Sequence, residues 1–255
     1  MSGPKKFWWP ERIRFLKEAS EYVGFNDILA RRASAYLPQD GHICDMGCGL
    51  GYLALSLAPF CRQVTGADSE ADVLEVLKEN IGKRQVPNVD VLCADVFDLP
   101  SDTVFDGMVF CMFGEILENL QLIRRHCTGK AVIFRKNWSF HTFAEKQVRL
   151  DKLLLPSDLE FLKRLGIPYI CNTFDIDMGQ PFRSIEDAMT FFRMYSKGDP
   201  SAITKADVRA KIAQTDDETY PYYMRVDRSL GMIVIDAKDI VFDKPGFLTG
   251  MEGVI

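Results

Sequence analysis

ICDMGCGLGYLAL, residues 43–55, decides how the chain is read. A short apolar run, Ile43 to Met46, gives way to Gly47, Gly49 and Gly51 at alternate positions, then to a stretch with the look of a helix. Glycine lets the backbone turn tightly and approach a ligand with no Cβ in the way. The helix that follows points free N–H groups at that ligand. The turn therefore predicts a strand–loop–helix ligand site, and its details narrow the choice. A dinucleotide fingerprint wants glycine at position 52, where the chain has Tyr52. A phosphate loop ends in Gly-Lys-Ser/Thr, which is absent here. The turn is thus not expected to hold a pyrophosphate.

Outward from this turn the chain alternates strand and helix. HICDMG, QVTGAD, VDVLCAD, FDGMVFCMF and KAVIFRKN read as strands, with LGYLALSLAPF, SEADVLEVLKENIGK and GEILENLQLIRRHC as helices. In the second helix Ser69 is the N-cap candidate, and Val73, Leu74, Leu77 and Ile81 form one apolar face. Near-continuous apolar strands alternating with helices predict a doubly wound, mostly parallel α/β sheet covered on both faces, with right-handed crossovers. The first 38 residues read as two helices parted at Gly24, the first opening on Pro10. Beyond Asn137 the rhythm breaks. HTFAEKQVRLDKLLLPSDLEFLKRLG reads as two helical pieces split at Pro156, PYICNTFDIDM as a strand, and SIEDAMTFFRMYS as a helix capped by Ser184. KADVRAKIAQ reads as a short helix, and YYMRVD with GMIVIDAK as a closing strand pair.

Composition sets the outer bounds. The chain has 255 residues, 31 basic and 36 acidic, for a formal net charge of −5. That balance argues against indiscriminate nucleic-acid binding, which needs clustered positive charge to displace counterions. No run approaches the roughly 20 apolar residues that span a bilayer. The opening MSGPKKFWWPERIRF has charges on both sides of its aromatic run, unlike a signal peptide. The seven cysteines are an odd number with no CxxC pair, which predicts small buried hydrophobes in a reducing cytoplasm. No cluster has the spacing of metal ligands.

Three further features fall at the ends of successive strands. Asp68 closes the second, 17 residues beyond Gly51, where a carboxylate can accept both hydroxyls of a ribose. Asp95 closes the third, followed by Val96 and Phe97, a pairing that suits an adenine. Cys111-Met112-Phe113-Gly114 ends the fourth. Open α/β sheets bind ligands outside the carboxyl ends of their strands, where all these features lie.

ICDMGCGLGYLAL, VTGADSEADVLEVLKEN, VLCADVFDLP and FDGMVFCMFGEI together resemble a class I S-adenosylmethionine-dependent methyltransferase. The resemblance is close from Ile43 to Asn137, about 95 residues, and loose over 222–238. It implies a seven-stranded sheet of order 3-2-1-4-5-7-6 with the last, inserted strand antiparallel. It also implies one methyltransferase domain over 1–255: an N-terminal helical cap (1–38), a cofactor-binding core (39–137), a substrate-side insertion (138–221), and closing strands and tail (222–255). Cofactor contacts are then expected at Asp45, Gly47, Cys48, Gly49, Gly51 and Tyr52, with Asp45 and the glycines at the methionine end. Asp68, with Ser69, would take the ribose, Asp95 with Val96 the adenine, and Cys111, Met112 and Phe113 would lie beside the sulfonium. The product would be S-adenosylhomocysteine.

In such a site the protein mainly aligns nucleophile and methyl for in-line displacement. An acceptor that carries a proton needs a base, and the candidates are Glu115 after the fourth strand and His141 after the fifth. Phe7, Trp8, Trp9 and Tyr22 form a lid over the cofactor, a dimer contact or a packing surface, with Tyr22 the best single cofactor contact. Aromatic residues across the insertion suit a small-molecule acceptor in a monomer or homodimer. A protein or RNA acceptor is the alternative, as is a catalytically silent cofactor-binding regulator.

Overall fold

The computed structural model describes residues 8–141, 143, 148–150 and 152–241. The chain opens with α1 (Pro10–Val23), whose first turn begins at Pro10, and Gly24 ends it in the left-handed conformation before α2 (Phe25–Ser34). There follow β1 (His42–Met46), α3 (Tyr52–Leu57), β2 (Gln63–Asp68), α4 (Ala71–Arg84), β3 (Val89–Cys93), β4 (Phe105–Cys111), α5 (Ile116–His126) and β5 (Cys127–Lys136). Then come α6 (Leu155–Leu165), β6 (Ile170–Asp177), β7 (Gln180–Phe182), α7 (Ile185–Tyr195), α8 (Lys205–Arg209), β8 (Ala213–Gln214), β9 (Tyr222–Met224) and β10 (Asp227–Asp236).

The large sheet has the order β3-β2-β1-β4-β5-β10-β6. β3, β2, β1, β4 and β5 are parallel neighbours, and β10 runs antiparallel against β5, from Leu230 opposite Lys136 to Asp236 opposite Lys130. This is the doubly wound α/β arrangement that the strand–helix alternation predicts, with the inserted antiparallel strand in place. Its middle strands are apolar, Asp45 apart, because helices cover both faces: Ile43 to Met46, Gly107 to Phe110 and Ala131 to Phe134 are all buried. The chain order reverses between β1 and β4, which puts a crevice at their carboxyl ends.

The chain divides into two compact units. One comprises Met1–Phe25, Trp138–Asp151 and Asp175–Ser229, and the other Asn26–Asn137, Lys152–Phe174 and Leu230–Ile255. The second unit holds the core of the large sheet, with Cys44, Met46, Phe110, Leu120, Ile133 and Ile233 among its fully or almost fully buried residues. In the first unit β7, β9 and β8 form a small antiparallel sheet. Its core is aromatic, with Phe15, Phe182 and Phe191 meeting edge to face. The buried Glu18 is neutralised by Arg14 at 3.0 Å and Arg183 at 2.6 Å, and Arg14 also reaches Asp187 at 2.6 Å. Asp177 ties the end of β6 to β9 and beyond, accepting from Gly179 N, Val226 N and the Tyr223 hydroxyl.

Several local expectations need correction. YYMRVD and GMIVIDAK are not a strand pair: β9 lies in the small sheet, while β10 joins the large one beside β5. The edge of the large sheet beyond β10 is filled by β6, from the segment expected to be the substrate-side insertion. Pro156 does not split two helices but stands in the first turn of α6, where its missing N–H costs nothing. Before it, the described residues form a bridge between Phe140 and Arg149, while Thr142, 144–147 and 151 lie outside the described residues. The N-cap of α4 is Glu70 rather than Ser69, because Asp68 Oδ1 accepts from Glu70 N and delays the helix by a residue. β3 ends at Cys93, and Asp95 caps a 3-10 turn, Val96–Asp98, by accepting from Phe97 N.

Ser184 does cap α7, its hydroxyl accepting from Asp187 N at 3.1 Å. Ser184→Ala should therefore lower stability by about 0.5–2 kcal/mol in urea titration. An unchanged midpoint would mean that α7 is held by its buried aromatics alone.

Candidate functional site

The site is built at the carboxyl ends of β1, β2, β3 and β4. Gly47, Gly49 and Gly51 all take left-handed φ angles, 68°, 53° and 73°. An L side chain adopts that region only at a cost, so the glycines are a backbone requirement. The missing side chains do not simply open room for a ligand. A Cβ on Gly47 would sit 2.0 Å from Phe113 Cδ2, and one on Gly51 would sit 2.5 Å from Leu77 Cδ1. At those two positions the space is filled by the protein itself. The turn is pinned by Cys48 N to Ala67 O at 2.9 Å, Gly51 N to Cys48 O at 2.9 Å, and Gly49 N to Asp68 Oδ2 at 2.9 Å.

Asp68 therefore has a structural duty that its sequence position does not reveal. One carboxylate oxygen accepts from Gly49 N and the other from Glu70 N. Each oxygen keeps a second lone pair, so both can still receive a hydroxyl. Ser69 beside it is exposed. Asp95 and Phe97 are exposed, and Val96 is buried. The Phe97 and Phe113 rings stack with centroids 6.5 Å apart and planes 23° from parallel.

Asp45 is the unusual group. It is 1% exposed, and one carboxylate oxygen, Oδ2, has no hydrogen-bond partner. Burial pushes its carboxyl up to about 7; the neighbouring charge of Asp68 adds to this, and the backbone N–H of Ala54 opposes it. An unsatisfied buried carboxylate is costly and is a mark of functional sites. The thiols of Cys44, Cys48 and Cys111 are all pushed up by burial, with Asp45 next, Cys111 to about 12. None of the three is therefore a thiolate nucleophile at neutral pH. Tyr52 is buried at the head of α3, with the Arg84 guanidinium 5.4 Å from its ring centre.

The segment after β4 is bent twice, with Met112 at φ 54° and Gly114 at φ 63°. Glu115 follows as the N-cap of α5; its backbone N–H donates to Glu118 Oε2 at 2.7 Å, and its exposed side chain pairs with Lys152 Nζ at 3.8 Å. Three residues that the sequence reading passed over hold this segment: Arg135, Asn119 and Asp158. A basic pair, Arg135-Lys136, directly after the apolar run AVIF was the available signal for Arg135.

The remaining candidates belong to the other unit. Tyr22 packs against Tyr220 and Tyr223, with ring centres 5.5 and 5.3 Å away. The His141 ring accepts from Phe143 N at 3.3 Å and lies against Phe143 and Tyr195. Arg12 lies over the rings of Trp8 and Trp9, and Phe7 lies outside the described residues. Among the described residues no group of three or more His, Cys, Asp or Glu is placed to hold a metal ion, and no helix is long and apolar enough to cross a membrane.

Residues 43–128 match the family model described as "Methyltransferase domain". An uncharacterized methyltransferase of Schizosaccharomyces pombe is 32% identical over 88 residues, 31% of this chain and 31% of that protein. The ubiquinone biosynthesis O-methyltransferase of Coxiella burnetii is 33% identical over 79 residues, 31% of this chain and 32% of its own. The chain thus spans about a third of the length of these curated relatives. In fold it is similar to the YcgJ protein of Bacillus subtilis, with a TM-score of 0.52 at 13% identity, over 82% of this chain and 97% of that one.

Proposed function

We propose that the protein is a class I, Rossmann-like S-adenosylmethionine-dependent methyltransferase, which moves a methyl group from S-adenosylmethionine to a small-molecule acceptor by in-line displacement and releases S-adenosylhomocysteine; the match of residues 43–128 to a methyltransferase-domain model supports this reading. The observation that carries this reading is the buried, orphaned Oδ2 of Asp45 beside a turn of three left-handed glycines. A carboxylate in that state needs a cation or a donor, and the ammonium of a methionine moiety is one. The bound sulfonium would supply an activated methyl.

The residues then divide the work. Asp45 and the turn from Gly47 to Tyr52, Cys48 included, hold the methionine end. Asp68, with Ser69, accepts the ribose hydroxyls on the lone pairs left over from Gly49 and Glu70. Asp95, Val96 and the exposed ring of Phe97 take the adenine, and Cys111, Met112 and Phe113 line the side on which the methyl lies. Tyr22 is kept as a candidate lid contact. Where the acceptor carries a proton, His141 and Glu115 are the candidates to remove it, and the neutral imidazole is the better matched to neutral pH.

Two features support a small acceptor. The first unit is rich in aromatic side chains, and one curated relative is named for ubiquinone biosynthesis. A formal net charge of −5 weighs against an RNA acceptor. Seven cysteines with no disulfide fit a cytoplasmic setting.

The test is calorimetry with S-adenosylhomocysteine, followed by transfer of labelled methyl across a panel of phenols and amines. No binding at high micromolar ligand would end the reading. Tight binding without turnover across small molecules, proteins and RNA would instead mark a regulatory protein. Asp68→Ala should weaken S-adenosylhomocysteine binding by about 1–3 kcal/mol, since it removes charge-assisted hydrogen bonds and frees the Gly49 amide. Wild-type affinity in that variant would remove Asp68 from the ribose.

A further inference from the structure

Arg135 is the largest fully buried side chain of the described residues, and it sits near the end of β5, an interior strand of the large sheet between β4 and β10. Its Nε donates to Asp158 on α6, itself 5% exposed. The two remaining nitrogens leave the ion pair and turn to the backbone: Nη1 donates to Phe113 O at 3.1 Å and Nη2 to Gly114 O at 2.8 Å. Asn119 Nδ2 from α5 donates to the same Phe113 oxygen at 3.1 Å. Three donors from two elements thus converge on two successive carbonyls.

Those carbonyls belong to the doubly bent stretch after β4. Met112 there holds a left-handed φ of 54° without being glycine, a conformation that persists only when the surroundings over-determine it. The same stretch lays the Phe113 ring against Gly47 and stacks it on Phe97. A buried ion pair seldom stabilises a core more than apolar residues of similar volume would, so stability alone does not account for this one. The geometry points to Arg135 as a positioning residue of the proposed cofactor site: anchored by Asp158, its guanidinium fixes the carbonyls of Phe113 and Gly114, and so fixes the wall that faces the glycine turn. The assignment rests on the cofactor reading for its purpose, though not for its geometry.

Removing one partner alone strands a buried charge and threatens folding. The decisive variant is therefore the double replacement Arg135→Met with Asp158→Leu, which removes both charges and keeps the volume. Ile235→Val, a trimmed core methyl on β10, serves as the stability control. With the full chain, S-adenosylhomocysteine affinity is measured by calorimetry, thermal unfolding by circular dichroism, and amide exchange at Met112 and Glu115 by mass spectrometry or NMR. The double variant should unfold near the wild-type temperature, bind S-adenosylhomocysteine about tenfold or more weakly, and exchange the two amides about tenfold or more faster, as expected for lost hydrogen bonds to a charged group. Arg135→Lys, with one donor direction in place of a planar fork, should fall between. Ile235→Val should lower the unfolding temperature and leave affinity and exchange alone.

A folded double variant with wild-type affinity and wild-type exchange overturns the proposal. If the double variant does not fold, Arg135→Lys decides it by the same two readouts. If wild-type protein does not bind S-adenosylhomocysteine, the cofactor reading fails by itself. The exchange rates then judge the clamp: faster exchange upholds it and unchanged exchange removes it.

Discussion

Asp45→Asn should make the protein more stable at pH 8, leave it unchanged below about pH 4, and weaken its hold on S-adenosylhomocysteine. The carboxyl of Asp45 is pushed from 3.8 to about 7 by burial, with the charge of Asp68 adding to it. The sign follows from proton counts. Between these two values the folded chain holds a proton that the unfolded chain has released, so stability falls as pH rises. The contribution is fully present below about pH 4 and lost as pH passes through about 7. A rise from 3.8 to about 7 corresponds to about 4 kcal/mol. Asparagine is neutral throughout and still offers an oxygen to Ala54 N–H. The stability gap between variant and wild type should therefore open from about pH 4 to pH 8, to about 4 kcal/mol. In wild type, S-adenosylhomocysteine affinity should rise through the same window, because an ammonium partner draws the proton off Asp45. In the variant that slope should vanish and affinity at pH 8 should drop about tenfold or more. Urea titrations and calorimetry at four pH values separate the two effects. A variant less stable than wild type at pH 8 would refute the burial account. An unchanged pH slope of binding would take Asp45 away from the methionine end.

What was legible in the sequence follows from where the forces are local. β1, β4 and β5 are buried on both faces, so their inner residues are apolar apart from Asp45, and such runs can be read without knowing what they pair with. The glycine turn is equally local, since a positive φ at 47, 49 and 51 strongly favours glycine over any residue with a Cβ. The failures are long-range. β6 carries Asn172, Thr173, Asp175 and Asp177 on exposed or partly exposed positions, and nothing in that pattern says that it closes the large sheet while β9 does not. β10 pairs with β5 across about ninety intervening residues, a partnership no periodicity records. The two units are interleaved, the first gathering three separate stretches of chain. Arg135 was missed because a basic residue at the end of a strand usually marks the exit to solvent. Here it is met by Asp158, 23 positions away, and by two carbonyls of a neighbouring strand's end.

Gly47→Ala should abolish S-adenosylhomocysteine binding, and the reason is the protein's own packing. The new Cβ would fall 2.0, 2.3 and 2.6 Å from three atoms of the Phe113 ring. Relief by a flexible tip is not available, because these atoms belong to a rigid ring whose carbonyl is held by Arg135 and Asn119. Either the ring rotates away from the turn or the turn itself shifts. Alanine at a φ of 68° adds about 1–2 kcal/mol of backbone strain. We expect a stability loss of about 2–4 kcal/mol together with a loss of affinity of about a hundredfold or more. The matching control is Gly82→Ala in α4, where an added Cβ meets nothing within 4 Å and no positive φ is involved. That change should stabilise by about 0.5–1 kcal/mol and leave binding alone. A second change separates clash from strain. Adding Phe113→Ala to Gly47→Ala removes the ring but not the left-handed backbone, so it should recover the clash component while the strain stays, with binding still poor because the wall is gone. Full recovery of stability in the double variant would mean that the glycine is there only to admit Phe113. No recovery would mean that the turn's left-handed geometry alone demands it, and in both cases a Gly47→Ala protein that binds S-adenosylhomocysteine as well as wild type would remove the glycine turn from the site.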